Sequence, residues 1–302
     1  MRLGKNEDID FLEYGQSIKQ GKVNVSLHPA GHMTGAAQVR LELAGEVAVI
    51  SGDYKRQTDP TCADFEVLKC HTFVTDSTFV LPIYAWPDPQ MVFDDINEWW
   101  RNNQQSGRAS LLLGYSVGKA QRLLAGVDKS IGPIVGHGAI VSACEAYREC
   151  GVELPKVLAV SEFDGQQPWS ESMIVAPPSA HGSTWLRRFG NVSVAMASGW
   201  MQVRGIRRRR SVDRGFIISD HVDWQDLMAT IEDCECENVW VTHGYTEQVV
   251  RTLSDRGFHA RVVKTKFGDE ESLEGSASED TPEATTDTED PSQDALIMDQ
   301  DA

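Results

Sequence analysis

Alternation of apolar and polar positions dominates the first part of the chain. Residues 23–28, 37–43 and 46–51 alternate along "VNVSLH", "AQVRLEL" and "EVAVIS" and are rich in Val and Ile, which predicts three half-buried strands. "CHTFVTDST" predicts another strand, ending at Asp76. The Pro-rich passage "LPIYAWPDPQ" then breaks the pattern. Beyond it, helical segments alternate with short apolar runs: "VFDDINEWWRNN" before "ASLLL", "VGKAQRLLAGV" before "GPIVG", "SACEAYREC" before "KVLAV". Strand "SMIVAPP", helix "STWLRRF" and strand "VSVAMAS" follow. This rhythm predicts a mainly parallel, helix-covered sheet from about 88 to 200. From about 212 the chain returns to short units: "GFIISDH", "WQDLMATI", "NVWVTHG", "TEQVVRTL" and "HARVVKT". The expected architecture is one β-rich α/β domain interrupted by an inserted α/β domain.

Composition changes this picture only at the C-terminus. The 302 residues carry a formal charge of −17, yet 13 of the 45 acidic side chains lie from Asp269 onward, a stretch with no Lys or Arg. Without them 32 acidic residues face 28 basic ones, so the remainder is nearly balanced. The stretch 269–302 is polar, acidic and poor in aromatics, and is expected to be a disordered tail. No run approaches the roughly 18 apolar residues of a membrane span, and the N-terminus "MRLGKNEDIDFLEYGQ" has no apolar core of a secretory signal. The six cysteines form no C-x-x-C pair and read as reduced thiols of a cytoplasmic protein.

Candidate chemistry gathers at the ends of the predicted strands. His32, Asp53, Asp76, His221 and His243 each stand just after an apolar run. Ligands bind at strand ends along one sheet edge in open α/β proteins. Neutral imidazole and carboxylate suit Zn and similar divalent ions, and a carboxylate such as Asp53 can bridge two metals and orient attack on a phosphodiester. "HPAGH" is not a metalloprotease helix, since it lacks the Glu and carries Pro29 and Gly31.

The motifs "HPAGHMTGAAQVR", "SGDYK", "TDSTF", "SDHVDW" and "VTHG", in that order, resemble the later motifs of metallo-β-lactamase-fold nucleases with a β-CASP insert, closest to the bacterial ligase-associated DNA exonucleases. The resemblance covers roughly residues 2–268. It implies a metallo-β-lactamase αββα sandwich, N-terminally truncated, with an inserted β-CASP parallel α/β domain. The parts would be 1–87 and 206–268 for the metallo-β-lactamase domain and 88–205 for the insert. It implies two divalent metal ions, Zn or Mn, with His32 and His243 as ligands of the first and second and Asp53 as the bridge. Asp76 would support the site, and His221 would stand near the scissile phosphate as proton donor or phosphate stabiliser. DNA would be the substrate, with RNA as the other nucleic-acid candidate and DNA ligase and helicase as associates. The family's H-x-H-x-D-H motif does not occur in the 302 residues, and "MRLG" resembles an interior stretch of the family. The chain is therefore expected to begin inside the family's first domain and to hold a metal pair weakly or not at all.

Basic residues suggest a substrate side. Arg204 and Arg207 to Arg210 lie in "QVRGIRRRR", a spacing able to track a phosphate backbone. Lys55, beside Asp53, would reach the same phosphates. "GYSVG" (Gly114 to Gly118) is a G-x-S-x-G between a predicted strand and helix. Two readings of it stay open: a phosphate contact, with Ser116 capping the helix and Lys119 adding charge, and a serine hydrolase with Ser116 as nucleophile. A non-catalytic nucleic-acid binder and a small-ester or thioester hydrolase are the further alternatives.

Overall fold

The computed structural model describes residues 11–163 and 167–264. The first ten residues and the acidic stretch 269–302, expected to be disordered, lie outside them. The chain opens with β1 (Ser17–Gln20), β2 (Val23–Pro29), β3 (Ala37–Leu43), β4 (Glu46–Ile50) and β5 (Thr72–Asp76). The strands from β1 to β4 form an antiparallel meander, and β5 joins β4 in parallel. β1 is a strand that alternation did not reveal, because its "SIKQ" is exposed throughout and paired only with β2.

Next come α1 (Pro89–Gln105), β6 (Ala109–Leu113), α2 (Lys119–Gly126), β7 (Ile134–Gly136), α3 (Gly138–Glu149), β8 (Leu158–Ala159), β9 (Met173–Ala176), β10 (Val192–Ala197), α4 (Arg204–Arg209) and β11 (Arg214–Phe216). The six strands from β6 to β11 form one all-parallel sheet in the order β11-β10-β6-β9-β7-β8. Central β6, "ASLLL", is buried at every position, as a strand covered on both faces must be. On one face α1 contributes Val92, Phe93, Ile96, Trp99 and Trp100 at helical spacing, packed with Leu123 and Leu124 of α2 and Ile140 and Cys144 of α3. Asp88 caps α1 by accepting from the Gln90 N–H at 2.7 Å, and Pro89 occupies the first helical position.

The last elements are α5 (Trp224–Cys234), β12 (Asn238–Thr242), α6 (Thr246–Asp255) and β13 (His259–Val262). β12 returns to the first sheet between β5 and β13, giving the order β1-β2-β3-β4-β5-β12-β13. Helices α5 and α6 cover one face of it through Leu227, Ile231, Val249 and Leu253, against Val49, Phe73, Val239 and Val241. On the opposite face Ile18, Val25, Leu27, Val39, Leu41, Ile50 and Val74 follow one another in register, and none is buried among the described residues.

The chain is thus mixed α/β, with one mixed and one parallel sheet. Three sequence expectations change. "STWLRRF" is a 3₁₀ segment, Thr184–Phe189, rather than an α-helix. The arginine run forms α4, anchored by buried Ile206. "GFIISDH" pairs only through Phe216, so β11 ends well before His221. The expected boundary at 205/206 falls inside α4, and pairing to β10 keeps the chain in the second sheet through Phe216. No helix among the described residues is long and apolar enough to cross a membrane.

Ile96 is fully buried where α1 meets the parallel sheet. Ile96→Ala removes that packing and leaves a cavity, so unfolding in urea should show a loss of roughly 2–5 kcal/mol. A change below about 1 kcal/mol would mean that the α1 face does not support the sheet as described.

Candidate metal centre

Parallel pairing of β5 with β12, in register from Thr72↔Asn238 to Asp76↔Thr242, brings Asp76 and the start of the "HG" turn to one sheet edge. The turns after β2 and β4 emerge nearby. The "PAGH" turn is tight: the Ala30 N–H donates to the Ala36 carbonyl, and the Lys55 N–H donates to the Ala30 carbonyl, both at 3.1 Å. Gly31 adopts φ 69°, and a Cβ there would lie 2.3 Å from the Lys55 carbonyl oxygen. Only glycine lets the chain turn there and deliver His32.

His32, Asp53 and His221 converge, with one ligand atom from each within 4.8 Å of the others. His32 Nε2 lies 3.9 Å from Asp53 Oδ2, and His221 Nδ1 lies 4.0 Å from Asp53 Oδ1. The two rings meet edge to face at 5.0 Å between centroids. Asp53 is half exposed, whereas Asp76 behind His221 is buried. Asp76 Oδ2 pairs with His221 Nδ1 at 3.2 Å, and its Oδ1 accepts from the Thr78 hydroxyl at 2.7 Å. The His221 carbonyl accepts from the Trp86 indole N–H at 2.8 Å.

Second partners decide how each ring is used. His32 Nδ1 sits 2.8 Å from the Asp220 main-chain carbonyl, which can only accept, so Nδ1 carries the proton and Nε2 presents its lone pair towards Asp53. A bare imidazole nitrogen and a carboxylate oxygen repel unless a cation or proton lies between them. That donor set fits a divalent ion of the Zn or Mn type. The two histidines are tuned apart. Burial and the neighbouring His221 hold His32 below the usual imidazole range. Burial acts on His221 in the same direction, but the Asp76 bond and the Asp76, Asp53 and Asp220 charges outweigh it and raise His221. Asp76 is lowered, its burial overcome by His221 and Thr78.

His243, expected as a ligand of the second metal, is not in this group, which among the described residues holds His221 beside His32 and Asp53. His243 is exposed, with φ 51°, and its carbonyl accepts from the Ser77 hydroxyl. Lys55 and Lys119, expected to meet phosphate, are buried. Their side chains are 1% and 4% exposed, paired with Asp59 at 2.7 Å and Asp220 at 3.0 Å. Ser116 does not cap α2, whose capping position is Gly118; the Ser116 carbonyl accepts from the Gln121 amide instead. No histidine hydrogen-bonds the Ser116 hydroxyl among the described residues. Of the arginines, Arg204, Arg207 and Arg208 do face solvent. His28 is held between the Ser26 hydroxyl and Glu66, each at 3.0 Å, in a structural role.

Sequence reasoning missed Asp220, Asp59 and Arg122. Arg122 is 2% exposed and lies 3.3 Å from Asp220 and 3.5 Å from Asp59. The available signal was in "GKAQRLL": two cations three apart within an apolar helix mark one face that is buried and paired. Asp220 is held far below the usual carboxylate range, its burial outweighed by Lys119, Arg122 and Lys55. Burial pushes Lys119 down to about 8, with Arg122 and Lys55 acting the same way against the pull of Asp220.

No family profile matches the chain. It is 28% identical over 264 residues to a probable DNA ligase of Opitutus terrae, an alignment spanning 87% of this chain and 26% of that protein. Over 124 residues it is 27% identical to endoribonuclease ysh-1 of Neurospora crassa, across 40% of this chain and 14% of that one. Over 150 residues it is 25% identical to cleavage and polyadenylation specificity factor subunit 3 of Dictyostelium discoideum, across 48% and 19%. The chain thus spans about a quarter of the ligase relative and less of the other two. A crystal structure of a protein of unknown function from Enterococcus faecalis shares the fold, with a TM-score of 0.55 and 12% identity over 87% of this chain and 67% of that one. An α/β fold with a histidine–aspartate centre at a sheet edge is thereby joined to named relatives. The chain is thus similar to part of a probable DNA ligase over most of its length, and to parts of an endoribonuclease and of a cleavage and polyadenylation specificity factor subunit over shorter stretches.

Two outcomes follow from this geometry. Gly31→Ala meets both the left-handed backbone and the Lys55 carbonyl, whereas Gly35→Ala meets a positive φ with open space around it. In denaturant melts Gly31→Ala should cost at least roughly 1–3 kcal/mol and clearly more than Gly35→Ala; equal losses would contradict the tight turn. Because the Asp220 carboxyl is lowered in the fold, its contribution is complete above the unfolded value of about 4 and is lost as pH falls towards the lower folded value. Asp220→Asn should therefore be less stable at neutral pH and flatter in its stability profile below about pH 5. Parallel acid limbs for the two proteins would rule that out.

Proposed function

We propose that this chain carries the catalytic edge of a metal-dependent phosphodiesterase that shortens DNA from its ends, in repair linked to a DNA ligase. The observation behind the reading is the convergence of His32, Asp53 and His221, with Asp76 buried behind them, from motifs in family order. In this reading 1–87 and 206–268 form a metallo-β-lactamase domain and 88–205 a β-CASP insert, the chain after α4 still adding β11 to the insert's sheet. His32, Asp53 and His221 would hold a divalent ion, with His243 exposed on the neighbouring turn. Such an ion supplies water activation and charge neutralisation at a phosphodiester. The chain's own groups do the rest. Asp53, half exposed, is open to solvent and substrate. Asp76 keeps the His221 ring oriented through Nδ1, as a carboxylate behind a metal-bound imidazole does. His32 stays neutral and keeps Nε2 free. The exposed arginines of α4 would meet phosphates.

The three converging donors amount to one ion's protein ligands, fewer than a metal pair needs. Zn or Mn should bind at one ion per chain and be lost in Asp53→Ala. End-labelled DNA should be shortened in an EDTA-sensitive reaction that falls together with metal binding in His221→Ala. Cleavage that survives EDTA or both substitutions would defeat the reading. RNA shortened faster than DNA would correct the substrate. A second reading, nucleic-acid binding without hydrolysis, is favoured by α4, whose Arg204, Arg207, Arg208 and Arg209 are exposed and pair with no carboxylate among the described residues. It requires salt-sensitive retention on DNA with no cleavage.

A further inference from the structure

Five ionised side chains lie out of water between the two sheets. Lys55 and Asp59 come from the loop after β4, Lys119 and Arg122 from α2, and Asp220 from the segment before α5. Arg122 is the only one that touches all three segments. Its guanidinium donates to the Ser219 carbonyl and lies 3.3 Å from Asp220 Oδ1. It donates to Gln57 Oε1 at 3.0 Å, and its Nε lies 3.5 Å from Asp59 Oδ2. Lys119 adds bonds at 3.0 Å to the Ile218 carbonyl and to Asp220 Oδ2. Residues 218–220 are therefore fixed on main-chain and side-chain atoms alike by two cations of one helix. The same short segment offers the Asp220 carbonyl to His32 Nδ1 at 2.8 Å and carries His221. The loop that Arg122 grips at Gln57 and Asp59 also bears Asp53.

We propose that Arg122, assisted by Lys119, is the positioning residue of the centre: by fixing Asp220 it holds His32 in the Nδ1–H form and aims the bare Nε2 at Asp53. The inference rests on the reading of His32, Asp53 and His221 as metal donors. It assigns α2, an element of the parallel sheet's cover, a part in a centre built at the edge of the other sheet. A guanidinium is needed because one group must serve Ser219, Asp220, Gln57 and Asp59 at once; an ammonium carries the charge without that planar fork. The cations also outnumber the carboxylates by three to two. A purely electrostatic role would therefore survive Arg122→Lys, and a positioning role would not.

The test reads the ring directly. Proton–nitrogen correlation spectra of the isotope-labelled full chain at neutral pH, with His32 assigned through His32→Gln, report which ring nitrogen carries the proton. The wild-type chain should show His32 as Nδ1–H. Arg122→Lys and Arg122→Met should move it towards the Nε2–H form, and Lys119→Met should do so to a lesser degree. Zn or Co affinity, measured in parallel, should fall roughly 10–100-fold in Arg122→Lys. If the Arg122 variants do not fold, Gln57→Ala, which frees one arm of the guanidinium, decides by the same spectrum. A folded Arg122→Lys chain with His32 still wholly Nδ1–H overturns the proposal, whatever its metal affinity. A wild-type chain that binds no metal, yet whose His32 follows Arg122, supports the positioning role and removes the metal reading instead.

Discussion

The buried ion cluster of Arg122, Asp220, Lys119, Asp59 and Lys55 is the constraint on which the rest of the structure turns. Each of these charges costs several kcal/mol to remove from water, a cost offset only by close and complete pairing. That requirement leaves few ways of setting α2 against the loops of the first sheet. The cluster is not a general adhesive, since apolar side chains of similar volume would hold two layers together as well. What it adds is register. Guanidinium, ammonium and carboxylate groups meet at defined angles, and the main-chain carbonyls of residues 218–220 are drawn into the same lattice.

From that register the centre follows. The first sheet supplies a rigid edge through the parallel pairing of β5 and β12, and Asp76 is buried at its end. The turns after β2 and β4 bring His32 and Asp53, the first through a glycine that no other residue can replace without a clash. His221 arrives from the segment the cluster holds, and Asp76 orients it. Two imidazoles 5.0 Å apart thus acquire opposite tendencies. One is held below the usual imidazole range by burial and the neighbouring ring, against the pull of the Asp220 carbonyl and the Asp53 charge. The other is backed by a buried carboxylate, and so favours its proton. A relative named as a probable DNA ligase aligns with most of this chain, and relatives named as an endoribonuclease and as a cleavage and polyadenylation specificity factor subunit align with less than half of it, each within a longer protein.

Much of the layout was legible from residue pattern. The strands at 37–43 and 46–50, the parallel α/β run and the helices with an apolar stripe follow from side-chain period, a local property. Elements with little apolar content escaped it. β1 is four exposed residues held by its neighbour's backbone, and α4 is an arginine run anchored by the one apolar residue Ile206. The 3₁₀ segment at 184–189 also differs from its expected helix because apolar spacing does not distinguish the two hydrogen-bond registers over so few residues.

The site divides along the same line. Sequence alone pointed to His32, Asp53, Asp76, His221 and His243 as one chemistry, because residue types suited to metal recur at turns in a recognisable order. It also determined that Gly31 sits where a turn needs it. Only the tertiary structure decided which of those groups meet, placing His221 beside Asp53 and leaving His243 outside the cluster. It also decided that Lys55 and Lys119 are structural cations and not phosphate contacts. A lysine's letter carries its charge but not its surroundings. Whether that charge faces water or a buried carboxylate depends on residues as distant in sequence as Lys119 and Asp220, which only folding brings to 3.0 Å.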